Sequence, residues 1–183
     1  GEHPGQGLAQ FDRATMPGFC LVAVGGHGRR ELGPRSDLDL VLLHRGDDRT
    51  AAALAERIWY PVWDAGIALD HSVRSVAHAR RLASEDARVL LGLLDARPVA
   101  GEAGLVADLC QAVLGDLRAM AGRRLAQVRE LVRSRRERFG ELATMLEPDL
   151  KQAYGGLREA TVLRAIAASW LADIPHTGWD QAV

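Results

Sequence analysis

Asp37 and Asp39 lie eleven and thirteen residues beyond Gly26, in the run Val24-Gly25-Gly26-His27-Gly28-Arg29-Arg30-Glu31-Leu32-Gly33-Pro34-Arg35-Ser36-Asp37-Leu38-Asp39-Leu40. On a strand, side chains alternate faces, so the two aspartates point one way while Leu38 and Leu40 enter a core. Two carboxylates held side by side repel each other unless cations sit between them. Mg2+ suits that position, because it is a hard ion that takes oxygen ligands and shares the phosphate oxygens of a substrate. Gly25-Gly26, at the end of an apolar run, lets backbone amides approach a phosphate with no Cβ in the way, and a helix starting near Gly28 would add its N-terminal dipole. Arg29, Arg30 and Arg35 are close enough in sequence to help. Taken singly, a glycine pair after a strand is usually a turn and Asp-x-Asp usually a solvated strand edge. At this spacing, in a strand, turn, strand context, they point together to metal-assisted chemistry on a phosphate-bearing substrate.

A third carboxylate normally completes such a site, holding a metal near the nucleophile and taking its proton. The candidate is Asp70, in a segment with the apolar alternation Ile67, Leu69. Glu85, Asp86 and Asp95 compete, although Asp95, at a helix end, is better suited to a structural bond to Arg97 or a neighbouring amide. Arg74 would face the same region on a regular strand and is a candidate triphosphate contact. Lys151 is the single lysine beside 22 arginines, and a compact ammonium reaching a triphosphate would account for it. His27 and His71 could touch phosphate, but a lone histidine near a strand is more often a hydrogen-bonded structural group.

These residues need elements to position them. Phe19 to Val24 and Leu38 to Leu43 read as strands, Thr50 to Asp64 as a helix stopped by Gly66, and Ile67 to Val76 as a third strand. Ala77 to Asp95 reads as one helix, and Pro98 to Gly101 closes this first unit. The remainder reads as helical: Leu117, Leu125, Val128, Val132, Phe139, Leu142 and Leu146 form one apolar stripe along a long helix ended by Pro148, and a further helix covers about Leu157 to Leu171. Residues 1–18, rich in Gly and Pro, read as a loosely ordered leader.

With 183 residues and 48% hydrophobic content the chain can form one generous domain or two small ones, and it is not a disordered tail. A formal net charge of −1 gives it no overall pull toward nucleic acid or membrane surfaces. Cys20 and Cys110 sit in separate apolar runs without zinc spacing and read as buried thiols. That suits a cytoplasmic location, as does the lack of an apolar stretch of about 18 residues. Eight arginines between Arg118 and Arg138 against Glu130 and Glu137 read as a solvated helix face, with a docking surface for an acidic partner as the sharper alternative.

The spacing of Gly25-Gly26 and Asp37-Leu38-Asp39 resembles the signature of the polymerase-β-like nucleotidyltransferases. The longer run from Gly25 to Leu40 is similar, more narrowly, to the bacterial PII uridylyltransferase (GlnD) family. So are Trp63-Asp64-Ala65-Gly66, His71-Ser72-Val73-Arg74, Leu94-Asp95-Ala96-Arg97 with Gly101, and Asp149-Leu150-Lys151 with Gly155-Gly156-Leu157-Arg158-Glu159. The resemblance implies an α+β fold: a nucleotidyltransferase domain over residues 19–101, with a small mixed sheet and helices, then an all-helical subdomain over 102–183, cut short at its C-terminal end. It implies transfer of UMP from UTP to a tyrosine of PII by a two-metal mechanism with Mg2+, metal-bound and catalysed through Asp37, Asp39 and Asp70. Nucleotide contacts are expected at Gly25, Gly26, Arg29, Arg35, Ser36, Arg74 and Lys151. Adenylylation of PII from ATP and a non-catalytic nucleotide-binding regulatory module are the alternatives. His27 and Arg30 depart from the Tyr and Gly often found in the family, which bears on nucleotide preference. No His-Asp dipeptide occurs, so the uridylyl-removing activity of the family is not expected of these residues.

Overall fold

The computed structural model describes residues 17–31, 36–141, 143, 146, 151, 154 and 156–168. Three of its four strands follow the apolar runs. β1 (Phe19–Ala23) pairs antiparallel with β2 (Leu38–His44), placing Cys20 opposite Leu43 and Ala23 opposite Leu40. β3 (Leu69–Ser75) runs parallel to β2 along its outer side. The fourth strand, β4 (Arg97–Gly101), pairs antiparallel with β1, giving the order β3-β2-β1-β4. It forms where the sequence reads as a closing turn. Pro98 has no N–H for a ladder and disguises the strand, but an edge position with a register shift between Leu21 and Val22 accommodates it. The result is the expected α+β class with a small mixed sheet.

The helix α2 (Asp48–Asp64) covers one sheet face. Asp47 caps it, accepting from the Thr50 amide at 2.9 Å. Ala55, Ile58 and Trp59 pack with Ala23, Leu40 and Leu42, so the leucines flanking Asp39 enter the core as the alternation requires. Cys20, Val22, Val41 and Leu43 alternate to the opposite face and are buried. The single helix expected from Ala77 to Asp95 is two, α3 (Val76–Glu85) and α4 (Ala87–Leu94). Asp86 between them is extended, and its carboxylate accepts from the Arg88 amide at 2.7 Å, starting α4 afresh. Apolar periodicity does not register this break, because both helices bury residues on one side, Ala79 and Ala83 then Leu90 and Leu93.

The chain forms two compact units, one up to Val113 and one from Leu114, and the division falls within α5 (Gly104–Ala119). The second unit holds α6 (Ala121–Phe139) and α7 (Leu157–Ala168). The expected continuous helix is interrupted at Met120 (φ −120°, ψ 33°) and stops at Gly140, whose φ of 72° takes the chain out of helix well before Pro148. Pro148 and positions 169–171 lie outside the described residues. The arginine run is only partly a solvated face. Arg118, Arg123, Arg129, Arg133, Arg136 and Arg138 are exposed, but Arg124 and Arg135 are buried. Arg135 Nη1 donates to Glu159 Oε1 on α7 at 3.0 Å, and that partner makes burial of its charge tolerable.

Candidate active site

The glycine turn begins one residue after β1. The Val24 amide donates to Asp39 O at 3.0 Å, and Gly25 then takes φ +57°, a conformation that disfavours any side chain. A single helical turn, α1 (Gly25–Gly28), follows. It starts at Gly25, earlier than the position near Gly28 read from sequence, because the left-handed glycine reverses the chain at once. An ideal Cβ on Gly25 would lie 2.8 Å from Asp39 Oδ2, so the aspartate carboxylate rests against the bare α-carbon. Gly28 is still more confined. A Cβ there would lie 2.3 Å from Asp95 O and 3.0 Å from Ala23 O.

Asp39 and Asp70 are register partners in the parallel β2–β3 ladder, so their side chains leave the same face of neighbouring strands, about 4.8 Å apart at the backbone. Asp37 immediately precedes β2, outside its ladder, and is not among the residues lining the cleft beside Asp39 and Asp70. Asp37 and Asp70 are exposed and Asp39 is partly buried. Among the described residues no three His, Cys, Asp or Glu side chains already converge as a metal cage. The donor chemistry nevertheless fits Mg2+, which is usually held by one or two carboxylates and completes its shell with water and substrate phosphates.

An open cleft of about 260 Å³ lies on this face, bounded by Asp39, Asp70, Ser72, Arg74, Arg88 and Gly92. Arg74, four residues beyond Asp70 on β3, lines the same cleft. Arg88, at the start of α4, escaped the sequence reading, because one long helix over 77–95 offers no reason to single it out; its only signal was the neighbouring Asp86, which restarts the helix.

Arg29 is near the turn but engaged. Its Nη1 donates to Asp95 Oδ2 at 2.8 Å and its Nε to Glu31 Oε2 at 2.7 Å. Burial opposes its charge, but the Glu31 and Asp95 bonds outweigh that and raise its pKa. Asp95 is therefore structural, with Arg29 as its partner in place of the expected Arg97 or amide. His27 is partly buried, and its Nδ1 has no hydrogen-bond partner among the described residues. Burial, followed by the Arg97 charge, lowers its pKa against the opposing pull of Asp39. His71 leaves the other side of β3 and packs against Trp59 and Trp63, ring centroids 5.2 and 5.1 Å away. Ser36 is exposed just before Asp37. Arg35 lies outside the described residues, and Lys151 belongs to the second unit, whereas the cleft is built from the first.

No helix among the described residues is long and apolar enough to cross a membrane. No protein-family model matches the chain. Individual proteins do. A Streptomyces coelicolor protein is 62% identical over 166 residues, 90% of this chain and 20% of its own length. A Mycobacterium tuberculosis protein is 44% identical over 168 residues, 90% and 21% of the two chains, and a Corynebacterium glutamicum protein 35% over 170 residues, 92% and 24%. All three are named bifunctional uridylyltransferase/uridylyl-removing enzyme. The chain spans about a fifth of the length of the first two of these relatives. Over 90% or more of its length the chain is thus homologous to a segment of these proteins named bifunctional uridylyltransferase/uridylyl-removing enzyme.

Proposed function

We propose that this chain is the nucleotidyl-transferring part of a PII uridylyltransferase, moving UMP from UTP to a tyrosine hydroxyl of PII and releasing pyrophosphate. The observation that carries the reading is the pairing of Asp39 with Asp70 across the β2–β3 ladder, with the Asp39 carboxylate against Gly25. The tyrosine oxygen attacks the α-phosphorus, the bond from that phosphorus to the bridging oxygen breaks, and the bridging oxygen leaves on pyrophosphate. Asp70, at the exposed end of the pair, takes the hydroxyl proton. Gly25 and Gly26 present backbone amides to the phosphates, and Arg74 offsets their charge. Arg29 serves indirectly, tying the turn to Asp95. Asp37, Asp39 and Asp70 would hold Mg2+, which when bound supplies charge stabilisation at the entering and leaving oxygens. Free thiols at Cys20 and Cys110 suit a reducing cytoplasm.

The test uses both this chain and the full-length protein, incubated with PII, Mg2+ and UTP or ATP labelled at the α-phosphate, then repeated with Asp39→Asn and Asp70→Asn. Label on PII from UTP, lost in both variants, is the expected result. Label from ATP alone would move the assignment to adenylylation. Nucleotide binding without transfer by the full-length protein would leave a regulatory module.

A further inference from the structure

The two edges of the sheet are built differently. β4, at one edge, is five residues long, contains Pro98 and pairs with β1 through a register shift. Proline and bulges are common means of keeping an edge strand from pairing with another chain. β3, at the other edge, has neither. It runs for seven residues without proline, and its register with β2 is unbroken from Leu69 to Ser75. Its charged side chains, Asp70 and Arg74, line the cleft on one face. Alternate residues of β3 therefore offer N–H and C=O groups outward, with no further strand beside them among the described residues. Resting on the nucleotidyl-transfer reading, we infer that this edge receives the acceptor: an extended, tyrosine-bearing segment of the protein substrate pairs with β3 as a further strand, and apolar side chains beside the tyrosine rest on an aromatic patch made by Tyr60, Trp63 and His71.

The patch is an observation independent of the edge. At the end of α2, Tyr60 is 58% and Trp63 43% exposed, and Ile67 just beyond is 46% exposed. Tyr60 and Trp63 meet edge to face with ring centroids 5.6 Å apart, and Trp63 meets the His71 ring at 5.1 Å, so the aromatic surface continues from α2 onto β3 itself. Large aromatics joined in one exposed patch mark a surface that a partner covers.

Alternation selects the partner. Asp70 and His71 are consecutive on β3; Asp70 lines the cleft, whereas the His71 ring packs on Trp59 and Trp63. A strand laid along the outer edge, about 4.8 Å away, obeys the same period of two. Its residue level with Asp70 points into the cleft, and the residues before and after point to the patch. A tyrosine at that position brings its hydroxyl to the carboxylate that takes its proton. Asp39, Asp70 and the tyrosine then stand side by side on three adjacent strands. Backbone pairing supplies affinity, and the patch selects apolar or aromatic residues next to the tyrosine. A small-molecule acceptor needs neither feature. A second copy of this chain, or the remainder of a longer polypeptide, would cover an edge and a patch but gives no reason for both to adjoin Asp70.

Hydrogen exchange of the full-length protein, alone and with saturating PII, tests the edge. The outward-facing amides of β3 should exchange freely in the protein alone and about tenfold more slowly with PII. Tyr60→Ser and Trp63→Ala test the patch. Each should raise the KM for PII about tenfold, the scale of a lost aromatic anchor, and leave the KM for UTP and the turnover number within about twofold of the parent. Outward amides already protected in the protein alone would mean that another part of the polypeptide or a second copy holds the edge, and would overturn the inference. So would amides that PII leaves unchanged, or a KM for PII within about twofold of the parent in both variants. The two readings fail separately. Protection of β3 by PII in a protein that labels it from no nucleotide keeps the docking edge and removes the transferase, whereas labelling of PII with β3 unprotected keeps the transferase and removes the docking edge.

Discussion

Asp39 of β2 stands beside Asp70 of β3 in a parallel ladder, on the sheet face where Asp39 also touches the bare α-carbon of Gly25. One residue thereby joins the two halves of the site, the phosphate-facing turn and the acidic pair.

If that pair carries the reaction, Asp39→Asn and Asp70→Asn should each reduce nucleotidyl transfer by about 100-fold or more, the scale of losing a positioned acid or base. Thermal stability should hold or rise, because each substitution relieves repulsion between neighbouring carboxylates. Turnover and melting temperature measured on the same preparations separate this from simple unfolding.

The two confined glycines of the turn should respond differently to alanine. At Gly25 the methyl group meets the end of a side chain, at 2.8 Å from Asp39 Oδ2, and the φ of +57° adds strain. A stability loss of about 1 kcal/mol is expected there, with a much larger loss of transfer as Asp39 is displaced. Gly28→Ala would bring its methyl to 2.3 Å from the Asp95 carbonyl, part of the backbone. A larger loss, about 3 kcal/mol, should follow, and urea unfolding of both variants reads the difference.

Burial and the neighbouring Arg97 hold the His27 pKa below its ordinary value of 6.5, despite Asp39. The unfolded chain then binds a proton more readily than the folded one. Folding stability from this group is present above about pH 6.5 and is lost as pH falls through the lowered folded value. His27→Gln should make stability decline less steeply between about pH 7.5 and about pH 5.5. Denaturant midpoints at several pH values check it, and equal slopes for parent and variant would refute it.

In the second unit, Arg135 is 8% exposed and its partner Glu159 is 15% exposed. Arg135→Met would strand the Glu159 carboxylate, whose Oε2 has no hydrogen-bond partner among the described residues. A loss of about 3 kcal/mol is expected, with most of it recovered in Arg135→Met/Glu159→Leu, because a buried pair costs more to break than to replace by apolar groups. A double-mutant cycle by chemical unfolding measures the coupling.

Much of this protein is set by local pattern. Alternation around Asp37, Leu38, Asp39 and Leu40 determined that leucines enter the core while Asp39 faces the cleft, and the apolar runs at Phe19, Leu38 and Leu69 determined three strands. Period and spacing are properties of neighbours in the chain, and the sequence carries them in full. What required tertiary structure was every relationship between distant segments. The register that sets Asp70 beside Asp39, the capture of Arg29 by Asp95, and the arrival of Arg88 opposite Arg74 each join residues at least fourteen positions apart in sequence. The extended Asp86 and the strand through Pro98 belong here too. No local propensity demands either, and each conformation is chosen by the hydrogen bonds it completes, with the Arg88 amide in one case and with β1 in the other.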